Sequence, residues 1–213
     1  MRHETVLRII GLFRKEPGSS YAINEIAAKT KIAYCSVHSH AGELEKLGVL
    51  ATRKQGRSKL CSLVFKSDGA RLLLALSAAN ATRDFLKKKS ALSPLLNALI
   101  EKTEGEMKNE LHSIVLFGSY AKCEERKESD IDILLITSDL KCTRKAEAIC
   151  NGISAAYGKK LAPIVSDVEQ FEKMLGAKGQ TIGKEAVADG VFLSGHEKFY
   201  GMVLRVLGEH YGT

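Results

Sequence analysis

Two short apolar runs near the middle of the chain enclose a polar segment. The first run extends from Ile114 to Phe117, and the second extends from Ile131 to Ile136. Short apolar runs that are bounded by glycine and polar residues are typical of buried strands. The pattern therefore predicts two consecutive strands, joined by the charged segment 118–130.

Two acidic residues stand at the head of the second strand. Asp130 and Asp132 are two positions apart, so in a strand their side chains point to the same face, and Ile131 points to the other. Two converging carboxylates repel each other and are costly to bury without a partner. Hard oxygen ligands of this kind suit Mg²⁺ or Mn²⁺, with a substrate phosphate completing the shell. The sequence predicts a catalytic metal site at Asp130 and Asp132.

A Gly-Ser pair follows the first strand and predicts a phosphate cradle. Gly118 has no Cβ, so a phosphate can approach the backbone closely there. Ser119 adds a hydroxyl and a backbone N–H, and a helix that starts at Tyr120 favours an anion at its N-terminus. We therefore expect Gly118 and Ser119 to bind nucleotide phosphates.

The combination of these features resembles a known family. Gly118-Ser119, a ten-residue gap and Asp130-Ile131-Asp132 look like the signature of the DNA polymerase beta-like nucleotidyltransferases. The longer run Phe-Gly-Ser-Tyr-Ala-Lys with Ser-Asp-Ile-Asp-Ile-Leu-Leu-Ile is similar to their minimal nucleotidyltransferase branch, and the resemblance covers roughly residues 92–208. A lone Asp-x-Asp is usually a surface turn; the combination between two apolar runs is specific.

The resemblance implies transfer of a nucleoside monophosphate from ATP or another NTP to a hydroxyl, with release of pyrophosphate. Two metal ions flank the α-phosphate in such enzymes, and Asp130 and Asp132 would bridge them. That branch usually has Arg-Gly where this chain has Lys122-Cys123. Lys122 keeps a nucleotide-binding cation near the phosphates, while the turn loses its glycine.

A second departure concerns the third carboxylate of the family, which sits on a later strand. The corresponding strand here, residues 160–165, reads Lys-Leu-Ala-Pro-Ile-Val and contains no acid. Asp167 lies just past its end, where it is either a further metal ligand or a helix N-cap. Loss of this acid would weaken binding of the metal ion that activates the nucleophile.

The first third of the chain has a different pattern. Apolar positions predict three helices up to Leu47, with Val37, Ala41, Leu44 and Leu47 of the third helix facing inward, and then two strands in a hairpin. This order resembles a winged helix-turn-helix domain. Residues 1–66 also hold 12 Lys and Arg against 5 Asp and Glu, which is the whole formal excess of +7. We expect this part to bind duplex DNA.

If the resemblance holds, the third helix lies in a major groove and the hairpin reaches the backbone. The expected DNA-binding residues lie on the early, outward face of that helix and on the hairpin: Tyr34, Ser36, His38, Ser39, Arg53, Arg57 and Lys59. A solvated hairpin face without a ligand and a domain that serves only dimerisation are the alternatives.

The predicted fold is α+β, with three parts. Residues 1–66 form the winged helix-turn-helix domain, residues 67–91 form a linker or dimer helix, and residues 92–213 form a nucleotidyltransferase domain with a short mixed sheet flanked by helices. A linker between the domains and a homodimer contact are the two alternatives for the helix in residues 67–91.

The composition of the chain argues against a membrane protein, a secreted protein and a zinc-binding protein. Apolar residues make up 45% of the 213, and no apolar run is long enough to cross a membrane. From the pattern of the first residues we expect no signal peptide. Five scattered cysteines without a Cys-x-x-Cys motif favour the reducing cytoplasm and argue against a zinc site.

Two functions follow from the sequence. The first is a Mg²⁺-dependent nucleotidyltransferase that modifies a protein or nucleic acid. The second is a DNA-binding transcriptional regulator whose weak or inactive transferase domain binds a nucleotide or a partner protein. The family resemblance also implies a toxin-like partner protein.

Overall fold

The computed structural model describes residues 2–56 and 58–211. The chain forms two compact units. One unit combines residues 1–78 with residues 203–213, and the other comprises residues 79–202. None of the described helices is both long enough and apolar enough to span a membrane.

The first unit begins with three helices and a small sheet, which lie entirely within it. Its elements are α1 (Arg2–Lys15), β1 (Ser20–Ala22), α2 (Ile23–Thr30), α3 (Tyr34–Lys46), β2 (Leu50–Gln55) and β3 (Ser58–Leu63). The strand order is β1-β3-β2, and both pairs are antiparallel. The short strand β1, which the sequence pattern did not reveal, pairs Tyr21 with Cys61.

Helix α3 buries Val37, Ala41 and Leu44, as its apolar spacing predicts. The expectation that Leu47 faces inward is wrong, because this side chain is 72% exposed. The helix ends at Lys46, and Gly48 adopts a left-handed conformation with φ +65°. The chain turns at this glycine toward β2, so Leu47 leaves the buried stripe one residue beyond the helix.

The rest of the chain contains seven helices and four strands among its described residues, apart from a short 3-10 turn. In order, the elements are α4 (Asp68–Lys88), α5 (Ser93–Met107), β4 (Leu111–Leu116), α6 (Gly118–Lys122), β5 (Ile131–Thr137), α7 (Thr143–Tyr157), β6 (Leu161–Asp167), α8 (Val168–Gly176), α9 (Ile182–Asp189), β7 (Val191–Ser194) and α10 (His196–Tyr211). Helices α4 and α10 each contribute residues to both compact units.

The unit boundaries differ from a division by sequence at residues 66 and 91. Helix α4 is continuous, and the first unit includes it as far as Ala78. The last residues of α10 also belong to the first unit: a Cβ built at Gly208 would lie 3.7 Å from the Cβ of Phe65. Two of the boundaries thus lie inside the continuous helices α4 and α10 rather than in a loop.

The second unit is built on one mixed sheet with strand order β6-β5-β4-β7. Strand β4 pairs antiparallel with β5 and β7, whereas β5 and β6 are parallel. An α+β fold with a short mixed sheet flanked by helices is thereby confirmed for this unit. The two strands predicted around residues 114–117 and 131–136 are the central pair.

The two faces of β5 bury different residues. Ile131, Ile133 and Leu135 join a core cluster with apolar residues of α5 and α7. Leu134 and Ile136 are also fully buried but alternate to the other face. Asp132 has the same parity as Leu134, so it lies on the face opposite to Ile131.

Candidate active site

The turn after β4 brings the backbone of Gly118 against an acid of β5. The Phe117 N–H donates a hydrogen bond of 3.0 Å to the Asp132 carbonyl oxygen, which joins the ends of the two strands. Gly118 has φ +67°, and a Cβ built there would lie 2.2 Å from Asp132 Oδ2. Glycine is therefore required for two reasons, its left-handed backbone and the close approach of a carboxylate.

Helix α6 begins at Gly118, two residues earlier than the expected start at Tyr120. Ser119 thus lies in the first turn of this five-residue helix, next to the glycine that contacts Asp132. The structure brings Gly118, Ser119 and Asp132 together at one end of the sheet.

Asp130 and Asp132 are close enough to affect each other. The pKa of Asp132 is raised, first by burial, then by repulsion from Asp130 and from Glu185. Asp130 directly precedes β5 and its side chain is 38% exposed. The two acids, together with Glu185, form a region of concentrated negative charge.

Two lysines lie among these acids. Lys160 donates a hydrogen bond to Asp130 Oδ2, and Lys122 donates one of 2.5 Å to Glu185 Oε1. This hydrogen bond to Glu185 is the main reason why the pKa of Lys122 is raised. Two of the three carboxylates at the site are therefore paired with a lysine, which partly neutralises their negative charge.

Sequence reasoning missed Glu185 and Lys160. Glu185 lies on α9, 53 positions after Asp132 in the chain, so no local motif connects the two. Lys160 directly precedes β6, and its carbonyl oxygen accepts a hydrogen bond of 2.9 Å from the Ile131 N–H. Only the parallel pairing of β5 and β6 places Lys160 beside Asp130, and the lysine in itself gave no signal.

The structure excludes Asp167 from the acid cluster. In the parallel register, Asp132 pairs with Ala162, whereas Asp167 pairs with Thr137 at the far end of the strands. Five residues of strand separate the two ends, about 16 Å. Asp167 instead caps α8, because its Oδ1 accepts a hydrogen bond of 2.8 Å from the Gln170 N–H. The suggestion that Asp167 is a metal ligand is therefore corrected to a helix N-cap.

The donor chemistry of the site suits a hard divalent cation. Asp130 and Asp132 offer carboxylate oxygens, which Mg²⁺ and Mn²⁺ prefer, and their mutual repulsion would be relieved by such an ion. No cluster of three or more acidic, histidine or cysteine side chains is arranged for metal binding in residues 2–56 and 58–211. The protein thus provides two close carboxylates, and other ligands would have to come from substrate phosphates and water.

The residues expected to bind DNA lie in the first unit, in two groups. On α3, Tyr34 is 56% exposed, its ring centroid lies 6.2 Å from that of His38, and Ser39 is exposed while Ser36 is partly buried. On the hairpin, Arg53 is exposed, and Lys59 forms an ion pair of 2.8 Å with Glu45. Arg57 lies outside the described residues.

A family model named "Polymerase beta, Nucleotidyltransferase" matches residues 99–177. A protein of Methanocaldococcus jannaschii named "putative protein adenylyltransferase" is 33% identical over 90 residues, which are 42% of this chain and 84% of that relative. The chain belongs to the polymerase beta-type nucleotidyltransferase family. A second protein of the same organism and the same name is 29% identical over 62 residues, 29% of this chain and 62% of the relative. No solved structure matches the chain significantly.

The nucleotidyltransferase match covers the sheet end that carries Gly118, Ser119, Asp130 and Asp132. It does not extend to Glu185 on α9, nor to residues 1–98. General nucleotidyl transfer is thus supported for the second unit, while the first unit has no counterpart in the matched region.

Proposed function

We propose that this protein transfers the nucleoside monophosphate of ATP or another NTP to a hydroxyl group of a protein. The observation that carries the proposal is the contact of the Asp132 carboxylate with Gly118, beside Asp130 and Glu185. Gly118 and Ser119, the proposed phosphate cradle, lie beside this acid cluster at one sheet end. A protein acceptor is favoured because the two relatives are named as protein adenylyltransferases. A toxin-like partner protein is the acceptor class that the family resemblance suggests.

The proposed roles follow from position. Backbone and hydroxyl groups at Gly118 and Ser119 bind the outer phosphates, and Lys122 adds positive charge once it exchanges Glu185 for a phosphate oxygen. Asp130 and Asp132 hold Mg²⁺ or Mn²⁺, which when bound neutralises charge around the α-phosphate. Glu185 supplies the negative charge that β6 lacks at Ala162.

The reaction balances as a single displacement. The acceptor oxygen forms a bond to the α-phosphorus, and the bond from that phosphorus to the oxygen bridging to the β-phosphate breaks. Pyrophosphate leaves with the bonding electrons. The proton of the acceptor hydroxyl passes to a carboxylate of the Asp130, Asp132 and Glu185 cluster and then to solvent.

Transfer can be tested with ATP labelled at the α-phosphate, host cell extract and Mg²⁺. The wild type should label a macromolecule that is sensitive to protease and resistant to nuclease. Asp132→Asn should abolish labelling, whereas Asp84→Asn, an exposed acid of α4, should leave it unchanged. Equal labelling by wild type and Asp132→Asn, or no labelling by either, would contradict the proposal.

We further propose that residues 1–66 act as a winged helix-turn-helix domain that binds duplex DNA. The element order α1-β1-α2-α3-β2-β3 and the antiparallel sheet support it. The concentration of the formal positive charge in these residues also supports it. Tyr34, Ser36, His38 and Ser39 would face a groove, and the hairpin cations Arg53, Arg57 and Lys59 would contact phosphates.

DNA binding is best measured on the full chain, because residues 203–213 belong to the same compact unit. Affinity should fall steeply between about 50 and 200 mM salt. The double variant Arg53→Gln and Lys54→Gln should bind more weakly, while Lys141→Gln with Lys145→Gln removes the same charge from the second unit and should not. Absence of binding at low salt would contradict this part of the proposal.

A regulator with a weak transferase unit is the second candidate, and one observation favours it. Lys160 donates to Asp130, and the position opposite Asp132 on β6 is Ala162, so a cationic side chain stands near an oxygen that a metal would need. Specific DNA binding together with no labelling of any macromolecule would favour this function. Labelling that depends on Asp132 would exclude it.

A further inference from the structure

A basic cavity of about 410 Å³ lies within the second unit. It is bordered by the end of α4, the residues between α4 and α5, Tyr120 of α6, the loop from α6 to β5, and Lys159. Its charged lining residues are Lys88, Lys89, Arg126, Lys127, Lys159 and a single acid, Glu125. This volume falls within the usual range of small-molecule sites, and the excess of cations predicts an anionic ligand.

Internal contacts use only some of these cations. Lys89 forms an ion pair with Glu125, and Lys159 donates a hydrogen bond of 2.9 Å to the Tyr120 hydroxyl. Lys88, Arg126 and Lys127 are exposed, and no ion pair joins any of their side chains to another described residue. Three positive charges at the cavity are therefore available to a ligand.

One carboxylate oxygen in the cavity indicates a second feature of the ligand. Glu125 Oε1 accepts from Lys89, but Glu125 Oε2 is buried and has no hydrogen-bond partner among the described residues. A buried acceptor without a partner is costly, and a ligand hydroxyl or amino group would satisfy it. The cavity thus combines free cations for phosphate with an acceptor for a hydrogen-bond donor.

The cavity lies on the other side of the sheet end from the acid cluster. Its lining residues Leu92 and Tyr120 share a core cluster with Ile131, whose side chain points away from Asp130 and Asp132. Two short stretches of chain nevertheless connect the cavity lining to Asp130. The loop that carries Arg126 and Lys127 runs into Asp130, and Lys159 is followed by Lys160, which bonds to Asp130.

We propose that this cavity is a second ligand site, which binds a phosphate-bearing small molecule of nucleotide size that also has hydroxyl or amino donors. The site is separate from the cradle at Gly118 and Ser119. Its affinity comes from lysine and arginine side chains, so it needs no divalent cation. Because the cavity loop ends at Asp130, a bound ligand can influence this acid without itself taking part in the transfer step.

The test uses ADP as the probe and the full chain in the presence of a chelator, with calorimetry as the measurement. We expect one ADP to bind per chain without metal. The variant Lys88→Gln, Arg126→Gln and Lys127→Gln should weaken binding by about tenfold or more. A control that removes equal charge elsewhere, Lys141→Gln, Lys145→Gln and Lys178→Gln, should bind like the wild type.

A further variant separates this site from the proposed active site. Lys122→Gln with Asp132→Asn should leave chelator-resistant ADP binding unchanged while it abolishes labelling from ATP. Loss of ADP binding in that variant, equal loss in both triple variants, or no binding by the wild type would each overturn the second site. None of these results depends on whether transfer itself is detected.

Discussion

The carboxylate of Asp132 occupies the space that a side chain at Gly118 would need. The built Cβ to Oδ2 distance of 2.2 Å is more than 1 Å below an ordinary contact, so any residue other than glycine must displace the acid. The turn after β4 and the acid on β5 therefore fix each other's position, although they lie 14 residues apart in the chain.

Gly118→Ala should therefore damage activity more than stability. We expect transfer to fall by about a hundredfold, because displacement by roughly 1 Å costs about that much in a positioned site. Gly158→Ala is the matched control, since Gly158 has φ +65° and no atom within 4 Å of a built Cβ. Both variants should lose about 1 kcal/mol of unfolding free energy from backbone strain, but Gly158→Ala should remain fully active. Similar activities of the two variants would contradict the contact's importance.

Glu185→Gln should weaken binding of Mn²⁺ in the presence of ATP. Glu185 raises the pKa of Asp132 by repulsion and holds Lys122, so its charge contributes to the field at the acid pair. Loss of such a supporting group typically costs about ten- to a hundredfold in metal affinity. Calorimetry can measure this, with Glu169→Gln, an exposed acid of α8, as the control. An unchanged affinity for Mn²⁺ would remove Glu185 from the site.

Lys160→Gln should act in the opposite direction. Its ammonium donates to Asp130 and must move when a cation binds there, so its removal should tighten Mn²⁺ binding. The Lys160 side chain is 72% exposed, which limits the expected gain to about two- to fivefold. Lys173→Gln, which removes a lysine paired with Glu169, should have no effect. Weaker Mn²⁺ binding by Lys160→Gln would show that this lysine supports the site instead of competing with the metal.

Cys123→Gly should stabilise the protein. Cys123 ends α6 with φ +59°, a left-handed conformation that costs a side-chain-bearing residue about 1 kcal/mol. Relief of this strain should raise the free energy of unfolding in urea by about 0.5–1 kcal/mol. Cys35→Gly makes the same change inside α3 and should lower it by roughly 0.3 kcal/mol, the difference between the helix propensities of the two residues. A loss of stability in Cys123→Gly would contradict the claim that the backbone at Cys123 is strained.

Stability should fall as pH drops below about 6.5. Burial lowers the pKa of both His112 and His196, so the unfolded chain binds more protons than the folded protein in this range. The stabilisation is fully present above the unfolded pKa and is lost as pH falls toward the folded values. Urea unfolding at about pH 7.5 and 5.5 measures the loss. His196→Gln should reduce the pH dependence, whereas substitution of the exposed His38 by Gln should not.

The central strands and the acid pair could be predicted because their signals are local. Alternation places Asp130 and Asp132 on one face, and a gap of ten residues fits a turn and a loop between paired strands. The position of Asp167 could not be resolved from sequence, because it depends on the register between β5 and β6. The role of Glu185 could not be predicted for a similar reason, since only the packing of α9 brings it near Asp132.

The first third of the chain shows the same limit. The hairpin and the three helices follow from periodicity, but β1 has only three residues and no alternation to reveal it. The exposure of Leu47 depends on where α3 stops, and helix ends are set by cap geometry rather than by apolar spacing.

Residues 203–213 complete the unit that begins at the N-terminus, so the acid-bearing unit is an insertion within it. The first unit therefore lacks part of its chain until all of the acid-bearing unit has been synthesised. A stop codon near residue 203 would therefore remove part of the N-terminal unit, although it lies at the opposite end of the coding sequence.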